Sequence, residues 1–321
     1  MGNLKIIDGW VREPLHDEHQ FVKRDIKQVN WGEQLVGIPT AWQQTQGEDV
    51  RVFVLDTGID YNHPDLKDAF KYGFNITNNP HTNDPADRDG HGTHVCGIIA
   101  ANGQVSGVAP KASLFMAKIL GDSGNGETSW IIDACKYAMR NNVDIVSMSL
   151  GTHTQPEPAV LEALRALDAA GTVIVCAAGN ERKSYAGDSV GWPAKYVEQL
   201  PNLIVVAAID ENSGSAYYSS QGPEVTIAAP GTNIYSTYPG NRYQKMSGTS
   251  MATPFVSGTI ALALAKNRKE LSLSKGTLSP KAVKELLTTH SKQTNGIVGR
   301  NDQFGFGIID ISFVQSARVK E

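Results

Sequence analysis

An acid, a base and a nucleophile can be picked out of this chain, in that order along it. Val54-Leu55-Asp56-Thr57-Gly58 places a carboxylate at the end of an apolar run. Asp89-Gly90-His91-Gly92-Thr93-His94 offers two imidazoles in a glycine-flanked segment, and Gly248-Thr249-Ser250-Met251-Ala252-Thr253-Pro254 offers a serine ahead of a helical pattern. A serine hydroxyl is a poor nucleophile near neutral pH; it needs an imidazole to take its proton and a carboxylate to orient that imidazole. Glycine flanks suit backbone packed closely around a reacting centre. Taken singly, each segment has an ordinary structural explanation, a turn or a capped helix. Taken together they describe acyl transfer. An α/β-hydrolase would need G-x-S-x-G and the chain order Ser, Asp, His. Here Asp56 comes first and the residues around Ser250 do not fit, so that class is excluded.

Such groups must be held by a rigid frame. Short apolar runs without alternation at 50–55, 113–119, 145–148, 173–177, 204–208 and 225–228 read as buried parallel strands. Helical patterns intervene at 92–101, 129–141, 157–170 and 250–266, and a final helix begins at Ser279-Pro280, where Ser caps and Pro takes the first helical position. Strands alternating with helices imply one α/β domain with a mostly parallel central sheet covered on both faces. Active residues gather at the carboxyl ends of such strands, and Asp56 follows one of them. Ser250 opens the long helix, whose N-terminus favours negative charge beside it, and Pro254 is expected in the first turn.

These segments resemble the signatures of the subtilisin-like serine proteases, the subtilases, and Cys176-Ala177-Ala178-Gly179-Asn180-Glu181 is similar to the family's oxyanion loop. The resemblance runs from about residue 31 to about 311 and implies a three-layer α/β/α fold. It implies that Asp56 orients, His91 rather than His94 is the general acid/base, Ser250 attacks and Asn180 donates to the oxyanion. It also places an extended substrate between two edges, Gly124-Asn125-Gly126 and Ser149-Leu150-Gly151, where a peptide adds main-chain hydrogen bonds. The first specificity pocket would be walled by Ser149, Leu150 and Gly151, by Ala177, Ala178 and Gly179, and by Gly191. Walls this small imply a roomy apolar pocket for Leu, Phe, Tyr or Met, with Glu181 near the mouth able to admit Lys or Arg. The implied activity is a serine endopeptidase of broad specificity acting on proteins and peptides.

The chain departs from the family in two places. Many subtilases carry a long calcium-binding loop after the catalytic histidine; here Ala101 and Gly107 are joined by only Asn102-Gly103-Gln104-Val105-Ser106. Asp65 remains, but one carboxylate is no calcium cage. Structural calcium is instead expected at the carboxylates of Asp84, Asp87 and Asp89, a stretch similar to a calcium loop in heat-stable members. Residues 1–27 precede a catalytic domain expected over 28–321 and are too short for a folded prodomain. Intracellular subtilisins resemble this arrangement and hold a short inhibitory extension, although their Leu-Ile-Pro-(Tyr/Phe) motif is absent. An inhibitory segment lying along the groove, with Pro14 resisting cleavage at the scissile position, is the expectation.

Composition bounds the remaining classes. The chain has 321 residues, 40% hydrophobic, 31 of them glycine, with a net charge of −4. No block of like charge points to nucleic acid or a membrane surface, and no apolar run is long enough to span a bilayer. The N-terminus lacks an apolar signal-peptide core. Cys96, Cys135 and Cys176 have no metal spacing and read as buried reduced thiols, which favours the cytoplasm. Monomer and homodimer both stay open. Two rivals accompany the endopeptidase reading: a processing protease of narrow specificity, and a catalytically silent peptide-binding scaffold.

Overall fold

The structure, a computed structural model, describes residues 2–5, 11–12, 29–77, 81–182, 184, 187–272, 278–293 and 299–315. The strands are β1 (Asn3–Lys5), β2 (Val11–Arg12), β3 (Arg51–Asp56), β4 (Phe70–Asn75), β5 (Ser113–Lys118) and β6 (Asn125–Glu127) in the first half. They continue as β7 (Ile145–Met148), β8 (Val173–Ala177), β9 (Ile204–Ile209), β10 (Ile227–Pro230), β11 (Ile234–Tyr238) and β12 (Arg242–Ser247). The helices are α1 (Trp31–Val36), α2 (Ile38–Ala41), α3 (His91–Ala100), α4 (Ser129–Arg140), α5 (Pro158–Ala169), α6 (Thr249–Glu270), α7 (Pro280–Thr289) and α8 (Ser312–Gln315).

Seven strands form one sheet in the order β10-β9-β8-β7-β3-β5-β4, parallel at every pairing. Side chains alternate across a strand, and here both sets are apolar. Val52, Val54, Val173 and Val175 pack with Val95 and Ile98 of α3 and Phe255 and Ile260 of α6. Phe53, Leu55, Ile174 and Cys176 pack on the opposite face with Ile131 of α4 and Val160 and Leu164 of α5. That is a three-layer α/β/α sandwich, with α3 and α6 on one side and α4 and α5 on the other. Helix α7 starts as expected, Ser279 Oγ accepting from Ala282 N at 3.2 Å, although the short α8 and not α7 is the last helix among the described residues. All three cysteines are buried and unbridged, and burial pushes the Cys135 thiol up to about 12.

Two features escaped the apolar pattern. Strand β4 at the sheet edge carries the exposed Lys71 and Tyr72. The antiparallel hairpin β11–β12, to which β2 adds a third strand, lies outside the main sheet and joins α3 by polar bonds. Ser236 Oγ donates to His94 O and Thr237 Oγ1 to Thr93 O, each at 2.8 Å.

Helix α6 also corrects an expectation. It begins at Thr249, so Pro254 sits in the second turn rather than the first. A proline there cannot donate to the carbonyl four residues earlier, which is that of Ser250. Ser149 supplies the missing donor, its Oγ reaching Ser250 O at 2.9 Å. The residue after β7 thereby ties the start of α6 to the sheet.

Candidate active site

Asp56 ends β3, flanked by β5 and β7, and is wholly buried. Its Oδ1 accepts from Thr57 N at 2.7 Å and lies 2.8 Å from His91 Nδ1. His91 is the first residue of α3, equally buried. Two glycines let the segments meet. Gly90 turns the chain with φ +106°, and a Cβ on Gly92 would stand 2.1 Å from Gly58 O. Burial opposes a proton on His91, but the charge and hydrogen bond of Asp56, helped by Asp89 and Asp87, outweigh it. The His91 pKa stands above the ordinary imidazole value. That contact orients the ring and stabilises imidazolium.

Asp87 builds the loop that delivers His91. Its Oδ1 accepts from Thr57 Oγ1, Asp89 N and Gly90 N, and its Oδ2 from Thr93 N and Thr93 Oγ1, all within 3.1 Å. His94, one turn on, belongs to the scaffold. Its Nε2 lies 3.0 Å from Ile234 O and 2.9 Å from Gln244 O, the two strands of the β11–β12 hairpin. Burial drives its pKa down to about 3. A neutral ring pinned between two carbonyls is a structural donor.

Ser250, buried at the start of α6, donates from Oγ to Ser149 O at 3.2 Å. Asn180 follows β8, and its Oδ1 accepts from Thr249 N at 2.9 Å and Thr249 Oγ1 at 3.1 Å. That anchoring fixes which end of the amide is which. A Cβ on Gly248 would lie 3.2 Å from Asn180 Nδ2 and 3.6 Å from Ser250 N, so two N–H donors approach the same point beside the serine.

The groove between the two expected edges is filled by the chain's own β1. It pairs antiparallel with β6, Leu4 opposite Gly126 and Lys5 opposite Asn125. On the other side Lys5 and Gly151 exchange N–H···O bonds of 3.1 Å in both directions. Leu4 is fully buried among Ile131, Leu150 and their neighbours. Beyond Ser250, β2 pairs with β12, Val11 opposite Ser247. Gly124 ends the turn before β6, with its N donating to Gly121 O. Gly151, Ala177, Ala178, Gly179 and Gly191 line one cleft, joined by Thr152, His153, Glu181, Trp192 and Lys5. Ser149 and Leu150 do not line it: Ser149 is engaged with Ser250, and Leu150 packs into the core. The sequence reading missed His153 and Trp192, because nothing in their type marks a pocket wall.

The model of the subtilase family matches residues 47–307. This chain belongs to the subtilase family. It is 40% identical over 279 residues to an intracellular serine protease of Paenibacillus polymyxa, covering 84% of this chain and 83% of that protein. It is 40% identical over 259 residues to the major intracellular serine protease of Bacillus subtilis, covering 78% and 79%. Subtilisin E of Bacillus subtilis is 40% identical over 256 residues, 78% of this chain and 64% of that protein. As a subtilase the chain is a serine endopeptidase, and its substrates are proteins and peptides. No helix among the described residues is long and apolar enough to cross a membrane.

The expected calcium ligands do not assemble in this subtilase. Asp87 spends both oxygens on the His91 loop, Asp89 Oδ1 accepts from His91 N at 3.1 Å, and Asp84 Oδ1 accepts from Tyr61 Oη and Ala86 N, each at 3.1 Å. Asp84 also borders a polar cleft in which Lys118 and Arg88 pair with Asp122 at 2.9 and 3.9 Å. Among the described residues no group of three or more His, Cys, Asp or Glu could hold a metal ion. Behind α3, Asp65 acts as a clamp: its Oδ2 accepts from Val105 N at 2.9 Å, its backbone O from Asn102 N at 2.9 Å, and Tyr243 also bonds its carboxylate. The shortened loop is held by a carboxylate on backbone N–H.

Proposed function

We propose that Asp56, His91 and Ser250 hydrolyse peptide bonds through an acyl-enzyme, with Asn180 stabilising the oxyanion. The observation that carries this is the buried Asp56–His91 pair at 2.8 Å on the rim where Asn180 and Ser250 also stand. The Ser250 hydroxyl turns from Ser149 O toward His91, gives up its proton and attacks the carbonyl carbon. The developing negative oxygen sits between Asn180 Nδ2 and Ser250 N, donors whose positions are set before reaction. His91 then returns the proton to the leaving amine, and a water repeats the cycle on the ester. Broad specificity for large side chains before the scissile bond agrees with the small walls of the cleft. The intracellular naming of two relatives and three buried reduced thiols support a cytoplasmic location. A sulfonyl fluoride at stoichiometric dose tests the nucleophile. Peptide mapping should find it on Ser250, and label elsewhere, or full activity in Ser250→Ala, would remove the assignment.

The N-terminal extension over 1–27 is proposed to restrain this domain, 28–321, by taking the place of substrate. The antiparallel pairing of β1 between Asn125 and Gly151 supports it, since a substrate strand needs those same edges. Pro14, expected to resist cleavage at the scissile position, lies outside the described residues. A variant starting near Gln28 should show its full rate from the first turnover, whereas the complete chain should show a lag ending as the N-terminus is trimmed. Equal initial rates with residues 1–27 still attached would reduce them to a passive arm.

A further inference from the structure

The cleft that receives β1 has walls of glycine and alanine, against which two ionisable side chains of the catalytic domain stand out, His153 and Glu181. Glu181 is held from one side. Its Oε2 accepts from Ser220 Oγ at 3.0 Å, and that same Oγ accepts from Glu181 N at 3.1 Å. A Cβ on Gly179 would come within 2.4 Å of this oxygen, so the carboxylate is folded flat against the pocket wall. Its other oxygen, Oε1, lies 3.7 Å from His153 Nε2. The carboxylate is 11% exposed and the imidazole 41%.

A carboxylate so buried draws in whichever cation can reach it, since its own hydration is largely lost. Burial raises the Glu181 pKa, and Ser220, His153 and the loop's own N–H groups work against that rise. At 3.7 Å the His153 contact is too long for a hydrogen bond, and what it offers Glu181 is electrostatic. Among the described residues lining the cleft the other charged group is Lys5, which sits on β1, the strand proposed to give way to substrate.

We propose that His153 is a specificity-determining residue: its ring, 3.7 Å from the Glu181 carboxylate, competes with a substrate cation for that carboxylate, and its removal leaves Glu181 to bind a lysine or arginine side chain. The proposal rests on the reading of this cleft as the pocket for the residue before the scissile bond. It makes the choice between apolar and basic substrates a competition for one carboxylate, with the resident imidazole ring already in place.

The test uses the complete chain, once its progress curve is linear, on peptides that differ only in carrying Phe, Lys or Glu before the scissile bond. The readout is the ratio of kcat/KM for Lys over Phe. His153→Ala should raise it by about threefold or more, Glu181→Gln should lower it, and His153→Ala added to Glu181→Gln should change nothing further. An unchanged ratio in His153→Ala, with Phe still strongly preferred over Glu, overturns the role of His153 alone. Indifference to Phe, Lys and Glu in every variant overturns the pocket reading and the proposal with it.

Discussion

His91 and His94 stand one turn apart on α3, both without measurable exposure, and their rings are held in opposite ways. His91 faces a carboxylate on the sheet, and its pKa rises; His94 faces two backbone carbonyls of the β11–β12 hairpin, and burial lowers its pKa to about 3. Burial penalises the charged ring equally in kind at both sites. What differs is the partner: a full negative charge repays the lost hydration, while carbonyl dipoles repay only part of it. In the proposed mechanism one helix thus presents a proton carrier toward the sheet rim and a fixed neutral donor toward the hairpin. Residue type and burial do not separate the two roles. The partner does.

The largest expected effect separates them outright. His91→Ala should lower kcat by about 10⁴-fold or more, the scale known for serine-protease triads, subtilisins among them, while the melting temperature changes little. His94→Gln should keep activity per folded molecule within about tenfold, because its ring touches no reacting atom. Single-turnover rates on one peptide, with thermal melts of the same samples, decide the matter. A loss in His94→Gln as deep as in His91→Ala would reverse the assignment.

Much of this contrast was legible in the sequence, and the illegible part has a physical pattern. The core strands stood out because both faces are covered, so Val52 to Leu55 read as one apolar run. Strand β4 and the β11–β12 hairpin did not, since Lys71, Tyr72 and Lys245 face solvent and break that signal. Asp56, His91, Ser250 and Asn180, the proposed catalytic residues, were marked by their glycine flanks, and the close approach at Gly92 explains one of those flanks. Carboxylates in loops carry no such mark. Asp87 and Asp65 could equally have faced a cation or a row of backbone N–H groups; only the fold shows that both took the N–H groups, which is why the calcium ligands were misplaced. Ser149 was read as a pocket wall because its bond to Ser250 O depends on Pro254, a hundred residues on.

A smaller effect sharpens the structural half of the comparison. His94→Leu leaves Ile234 O and Gln244 O without the ring N–H, both buried between α3 and the hairpin. An unsatisfied buried carbonyl costs about 1–3 kcal/mol, so the unfolding free energy should fall by about that amount in a denaturant titration. His94→Gln, able to reach one carbonyl, should lie between Leu and the original. Equal stability in all three would make the ring's contacts incidental.

The smallest effect is a matter of pH, and its sign differs between the two rings. His91 must be neutral to accept the Ser250 proton. Because its pKa is raised above the ordinary imidazole value, the proposed mechanism has activity disappear as pH falls through a midpoint above 6.5. Stability moves the other way: a raised folded pKa contributes stability that is present below the unfolded value and lost as pH rises through the folded one. For His94 the folded pKa is depressed to about 3, so its contribution is present above the unfolded value and lost as pH falls toward the folded one. Ring-proton resonances of the Ser250→Ala protein, followed from about pH 5 to about pH 8, should therefore show one of these two histidines titrating and the other silent. In Asp56→Asn the carboxylate is gone, and burial is opposed only by the smaller effects of Asp89 and Asp87. Its titration should then drop below 6.5, toward the behaviour of His94. A His91 midpoint that ignored the loss of Asp56 would show that the carboxylate is not what sets the two rings apart.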